Sequence, residues 1–396
     1  MENNDSNKKV SIILILMIVL LFSILIFSWL ETFGIIGKNS NYQTTVSVLL
    51  EETVNIIPDR KDKKIVISKK EVKEENIEKE EKEKILEELK SGESAKIQAY
   101  ESKSADNVDT SRFYYNQINS VAKLIYDNLY KNIDNLKTGN YKIEYGNIFN
   151  DILKEANGTQ IMQEAYSEAV RAFLFDNPRV FFLEVPKLSL VTETKTSFFS
   201  KEYNVNIVAQ ENETYLSSQF PTEAIVNSAI NDIKRVASQL KMETEGYSQI
   251  DKIKFVHDYL VKNTEYDISL EKHNIHNIYG ALINKFAVCE GYAKAFKYIL
   301  DVLEVPSIIV VGNATNADGI EEKHSWNYVY IDGKWYGMDV TFDDPVIIGG
   351  PIINDNIRYD YYLKGSNEFL RLHTENSMEI LGFEVEYPEL EGENYN

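Results

Sequence analysis

Residues 324–341 read HSWNYVYIDGKWYGMDVT, two alternating β-rich runs on either side of Asp332-Gly333. That dipeptide suits a two-residue type I′ turn, in which both central positions need a positive φ. If these two residues are the whole loop, Ile331 faces Lys334 and Trp326 faces Asp339. His324 then shares a face with Trp326 and Asp339 and lies diagonal to Asp339. Diagonal Cα atoms are about 7–8 Å apart, close enough for a carboxylate to reach an imidazole N–H. The opposite face carries Val329, Ile331, Met338 and Val340 and is predicted to pack into the core, leaving the His–Asp pair on the non-core face. A loop one residue longer or shorter would reverse this parity.

Upstream, residues 287–300 read AVCEGYAKAFKYIL and contain the only cysteine in 396 residues. An intrachain disulfide is therefore impossible, which leaves a buried inert thiol or a nucleophile. Ala293, Phe296, Ile299, Leu300 and Leu303 recur at helical spacing, so Cys289 is predicted at a helix N-terminus. There the unpaired backbone N–H groups and the helix dipole stabilise a thiolate, and the same groups can donate to the oxyanion of a tetrahedral intermediate. With Cys289 attacking an acyl carbon, His324 would hold the thiol proton and pass it to the leaving group, and Asp339 would fix the imidazole's tautomer. Tyr279 and Trp326 are candidates to line the acyl site or assist the oxyanion, and Tyr292, one turn beyond Cys289, is a candidate wall residue. No metal and no cofactor is expected. His273 and His276 have ligand-like spacing without a partner cluster and read as loop histidines. His257 reads as a core or capping histidine, His373 as one that packs or hydrogen-bonds within the fold, and Asp343 and Asp344 as turn residues.

The run NIYGALINKFAVCEGYAKAFKYIL, followed by HSWNYVYIDGKWYGMDVTFDDP, resembles the transglutaminase-like domain of bacterial proteins in the papain-like cysteine enzyme superfamily. VCEGYA, HSWNYV and DVTFDDP are its most specific parts, and AFLFDNPRVFFLE and KFVHDYLVKNTEYD extend it upstream. The resemblance covers most of Arg112 to the C-terminus. It implies a Cys–His–Asp triad on Cys289, His324 and Asp339. Phe342 departs from the pattern, since related sequences often carry tryptophan there. The fold class expected is α+β: a papain-like or transglutaminase-like core, with the nucleophile helix packed on an antiparallel sheet.

Outside this region, residues 10–30 form an uncharged apolar run long enough to cross about 30 Å of hydrocarbon as a helix. Lys8 and Lys9 precede it and Glu31 follows, so residues 1–9 are expected in the cytoplasm and the rest outside, on a single-pass anchor. Residues 31–110 are rich in Lys and Glu and read as a charged linker, partly helical where Glu and Lys recur at i, i+4. Residues 111–247 read as a mostly helical region with a small antiparallel sheet drawn from VFFLEV, LSLVTETKTSFF and NVNIVAQ. Residues 248–396 read as the catalytic domain.

A formal net charge of −20 offers no positive stripe for phosphates and argues against nucleic acid as a partner. The function expected is a membrane-anchored extracytoplasmic cysteine enzyme. It would act on protein or peptide amides, such as those of a cell-wall or surface protein, through a thioester at Cys289. Water as acceptor makes it a peptidase or amidase, the outcome that similar bacterial proteins favour. A lysine amine makes it a protein-glutamine γ-glutamyltransferase. A surface binding module that keeps the fold without turnover is the non-enzymatic alternative.

Overall fold

The computed structural model describes residues 108–197, 200–210, 213–316, 319–344 and 357–396, with the backbone of residues 42–48. The apolar run at 10–30 and most of the charged segment at 31–110 lie outside the described residues. No helix among those described is long and apolar enough to cross a membrane.

The long helices start where the sequence supplies a cap. In α1 (Ser120–Lys131) the Asn119 side chain accepts from the Ala122 N–H. That cap needs an extended residue before the helix, and the residues upstream of it form only a short 3-10 turn at Tyr115–Gln117. The next helix, α2 (Gly158–Asp176), stops just before Asn177-Pro178. Thr222 caps α3 (Glu223–Glu243) and Ser248 caps α4 (Gln249–Asn263). Then come α5 (Cys289–Val302) and two short helices, α6 (Ser366–Phe369) and α7 (Ser377–Leu381).

The strands form two larger sheets and one small parallel pair. The first sheet has the order β1 (Tyr42–Val48), β3 (Leu188–Thr196), β4 (Lys201–Ala209), β2 (Ile143–Gly146). Residues 42–48 thus pair as an edge strand although the surrounding sequence reads as linker. The run VFFLEV does not join this sheet. Between Pro178 and Pro186 its backbone turns, and Val180, Phe181 and Phe182 fill the core with their side chains. The parallel pair is β5 (Glu265–Tyr266) with β6 (Phe286–Ala287).

The second sheet positions the site. Its order is β10 (His373–Glu375), β7 (Ser307–Thr315), β8 (Glu321–Ile331), β9 (Lys334–Met338), antiparallel throughout. The hairpin has the expected register, Ile331 opposite Lys334 and Asn327 opposite Met338. Asp332 and Gly333 have φ of 50° and 81°, as a type I′ turn requires. Helix α5 packs on β7 and β8, and Asn327 ties all three together by donating to the carbonyls of Ala293 and Ile308.

One expectation is corrected. The face carrying His324, Trp326 and Asp339 is buried too, because the C-terminal segment folds back over it. Phe369 and His373 cover Trp326, with ring centroids 6.3 and 5.0 Å away. Gly312, opposite His324, lets β10 close: a Cβ there would lie 2.0 Å from the Thr374 carbonyl oxygen. A single core runs through both halves of the chain, from Phe113 to Phe383, across the 247/248 boundary.

Gly312→Ala should therefore cost about 1–3 kcal/mol, as overpacking does in a filled core. A lowered urea midpoint with an unchanged m-value would report it; an unchanged midpoint would show that β10 yields freely.

Candidate active site

Cys289 is the first residue of α5. It is delivered there by β6, which lies parallel to β5, and by the Val288 N–H, which donates to the Ile275 carbonyl at 3.0 Å. Gly291 permits this approach, since a Cβ would meet the same carbonyl oxygen at 2.3 Å. Val288 is extended and has no side-chain acceptor to cap the helix, so no side chain of the N-cap competes for the first-turn N–H groups. Cys289 as a residue is half-buried.

His324 stands on β8 with Nε2 2.7 Å from Asp339 Oδ2. Cys289 is its hydrogen-bonding and electrostatic partner. Phe342 packs on the ring at 4.5 Å and Trp326 lies at 6.2 Å, two apolar walls that fix its plane. The carboxylate of Asp339 is fully engaged. Its Oδ1 accepts from the backbone N–H groups of Thr341 and Phe342 at 3.0 and 3.1 Å, and its Oδ2 accepts from His373 Nε2 at 2.9 Å as well as from His324.

Burial alone would disfavour a charged His324, but the negative charges of Asp339 and Cys289 and their hydrogen bonds more than offset it and raise the imidazole to about 10. Burial likewise opposes ionisation of Asp339, and His324, followed by His373, overcomes it and holds the carboxyl below the ordinary carboxylate range. Glu290, next to the nucleophile, is buried beside Lys294 and His276, which hold it at about 2.

The structure brings Cys289, His324 and Asp339 together. Trp326 is buried, with its ring 6.2 Å from that of His324. Tyr292 is not a cleft residue: it is fully buried, and its hydroxyl, with a single proton to give, lies 2.6 Å from Asp344 Oδ2 and 2.9 Å from the Thr264 carbonyl oxygen. Tyr279 packs on Phe181 and Phe220 and lines a cavity of about 350 Å³ with Asp232 and Ser228, to which no triad residue contributes. His257 is a core histidine, set between Asp343 and Asp258 at 3.1 and 3.0 Å.

Two residues near the triad are not connected to it by the sequence reading. Tyr266 on β5 has its phenol raised by burial and by the charge of Cys289; the only trace in sequence is the EYD of the upstream resemblance. His373 reaches Asp339 from β10, and no local pattern connects it to the hairpin. The ligand atoms of His324, Asp339 and His373 lie within 4.8 Å of one another, a donor set a metal ion could use. Here both imidazoles sit at hydrogen-bonding distance from one carboxylate oxygen.

Because the folded value of His324 lies above that of a free histidine, the ion pair contributes fully below about pH 6.5 and is lost as pH rises through the folded value. Asp339, shifted down, contributes above about pH 4 and loses its contribution as pH falls through its folded value. With only five histidines in the chain, NMR of the ring signals should resolve His324 titrating at about 10. In Asp339→Asn the midpoint should fall by at least about two units; an unmoved midpoint would mean that Asp339 does not hold the proton on the ring.

Residues 234–340 match the family model described as the transglutaminase-like superfamily. No curated protein matches the chain. Among solved structures, one described as a TGase is 17% identical over 42% of this chain and 47% of its own, with a TM-score of 0.27. A candidate cysteine protease from Cytophaga hutchinsonii is 15% identical over 38% and 57%, with a TM-score of 0.24. A candidate protease from Parabacteroides distasonis is 10% identical over 37% and 35%, with a TM-score of 0.21. The chain thus spans about half or less of the length of two of these proteins and somewhat more of the other. Across the segment that holds Cys289, His324 and Asp339, the chain is similar to the transglutaminase-like superfamily.

Proposed function

We propose that the protein is a cysteine acyl-transfer enzyme acting on protein or peptide amides through a thioester at Cys289, with water as the acceptor. The observation that carries this reading is the chain of contacts from Asp339 Oδ2 to His324 Nε2 at 2.7 Å and from the ring to Cys289 at the start of α5. An inert structural cysteine has no need of a buried imidazole whose orientation is fixed by a carboxylate.

In the first half-reaction Sγ attacks the amide carbonyl carbon. The oxyanion forms at the N-terminus of α5, where backbone N–H groups stabilise it. His324 gives its proton to the leaving nitrogen as the C–N bond breaks, and a thioester remains. In the second, His324 takes a proton from water as its oxygen attacks the thioester carbonyl. The C–S bond breaks, the acid leaves and the thiol is restored. Asp339 keeps the ring oriented throughout. Water rather than a lysine amine is the acceptor we favour; an amine acceptor would need a site that excludes water. We place this domain outside the membrane, on the anchor read at residues 10–30 and held away by the charged segment that follows.

Glutamine-containing peptides, supplied with and without a primary amine, test the reading. Wild type should release acid in both cases and Cys289→Ala should lose activity by at least about a hundredfold. Incorporation of the amine in preference to water would make the enzyme a transglutaminase. Silence of wild type and Cys289→Ala alike, with no enhanced alkylation of the thiol, would sink the enzymatic reading.

A further inference from the structure

We infer that His373 is a positioning residue of the catalytic unit: from β10 it binds the same oxygen of Asp339 that orients His324, so that the C-terminal segment completes the site. This rests on the catalytic reading of Cys289, His324 and Asp339. Residue 373 lies beyond the segment that matches the family model, which ends at 340.

The geometry is specific. His373 is buried, with Nε2 2.9 Å from Asp339 Oδ2 and Nδ1 3.2 Å from the Phe369 carbonyl oxygen. Its ring lies flat against Phe369, centroids 4.0 Å apart and planes 10° from parallel. Phe369 in turn sits where a Cβ on Gly337 would be, 2.5 Å from the ring. The histidine is thus fixed by stacking and by a backbone acceptor, with its other nitrogen aimed at the carboxylate.

Orientation follows from the count of bonds. Oδ1 is held by two backbone N–H groups and Oδ2 by two imidazoles. Without His373, His324 would be the only side chain on Oδ2, and the carboxylate could swing towards it or away. A second donor also draws charge from Asp339 and keeps it ionised in weak acid, where an imidazolium needs a carboxylate partner. The other ionisable groups facing Asp339 are Tyr266 from β5, Asp343 from the turn beyond it and Tyr361 from the segment before α6. None of these is a cation, and the two side chains within hydrogen-bonding distance of Oδ2 are His324 and His373.

Because Cys289 is the single thiol of the 396-residue sequence, its alkylation by iodoacetamide reads the unit without knowledge of the substrate. His373→Phe keeps a ring between Phe369 and Trp326 but removes the donor; His373→Gln keeps an N–H for Oδ2. At about pH 6 the Phe variant should react about tenfold more slowly than wild type, the two should converge at about pH 9, and the Gln variant should stay within about twofold of wild type. NMR of the unmodified protein gives a readout that needs no substitution, a slowly exchanging proton on His373 Nε2. A pH profile unchanged in His373→Phe, an equal loss at every pH in both variants, or a rapidly exchanging Nε2 proton would each overturn the proposal. So would a stoichiometric metal ion that copurifies and whose removal by chelation alone restores or abolishes thiol reactivity. If wild-type Cys289 reacts no faster than free cysteine at about pH 6, the catalytic reading itself falls; a fast wild type with unaffected variants overturns only the role of His373.

Discussion

The bond from His324 to Asp339, 2.7 Å long and buried on both sides, is the constraint around which this part of the molecule is built. An ion pair taken out of water is stabilising only when its remaining lone pairs and protons are matched, and breaking such a pair from one side costs about 3–5 kcal/mol. Asp339 meets that condition with four donors. His324 meets it by giving Nε2 to the carboxylate, with Cys289 as its other hydrogen-bonding partner. Cys289, partly exposed as a residue, lies at the end of this otherwise buried network.

Everything that delivers these three side chains is backbone geometry. The turn at Asp332-Gly333 sets the parity that puts His324 and Asp339 on one face. Asn327, on the other face, fastens β8 to α5 and so sets the distance from the imidazole to the helix that begins with Cys289. Gly291 and Gly312 allow two close approaches, one of the Ile275 carbonyl to the start of α5 and one of β10 to β7. Any side chain at either position would push a functional element outward.

The hairpin and its register were legible in the sequence because they depend on local rules, a turn dipeptide and a period of two. The helix after Cys289 was legible for the same reason, with a period near 3.6. Burial of the His324 face was not, since the residues that cover it, Phe369 and His373, lie more than thirty positions downstream and carry no pattern that points back to the hairpin. Tyr292 misled because helical spacing gives the direction of a side chain but not what meets it; Asp344 and the Thr264 carbonyl occupy the hydroxyl.

The run from Asp339 to Asp344 explains why a short motif fixes so much of the structure. Three of its six residues are buried carboxylates, and carboxylates this close repel, as the effect of Asp339 on Asp343 shows. Burial is tolerable only if each has donors of its own. Asp339 takes His324 from β8 and His373 from β10; Asp343 takes His257 from α4 and the Tyr361 N–H from the C-terminal segment; Asp344 takes the Tyr292 hydroxyl from α5. Each acid is thereby a tie to a different part of the fold, and together they bind the nucleophile helix, the sheet, α4 and the C-terminal cover to one turn of chain. The residue that orients the base is held by the same turn that joins these elements, so the precision of the site and the closure of the core have a common origin.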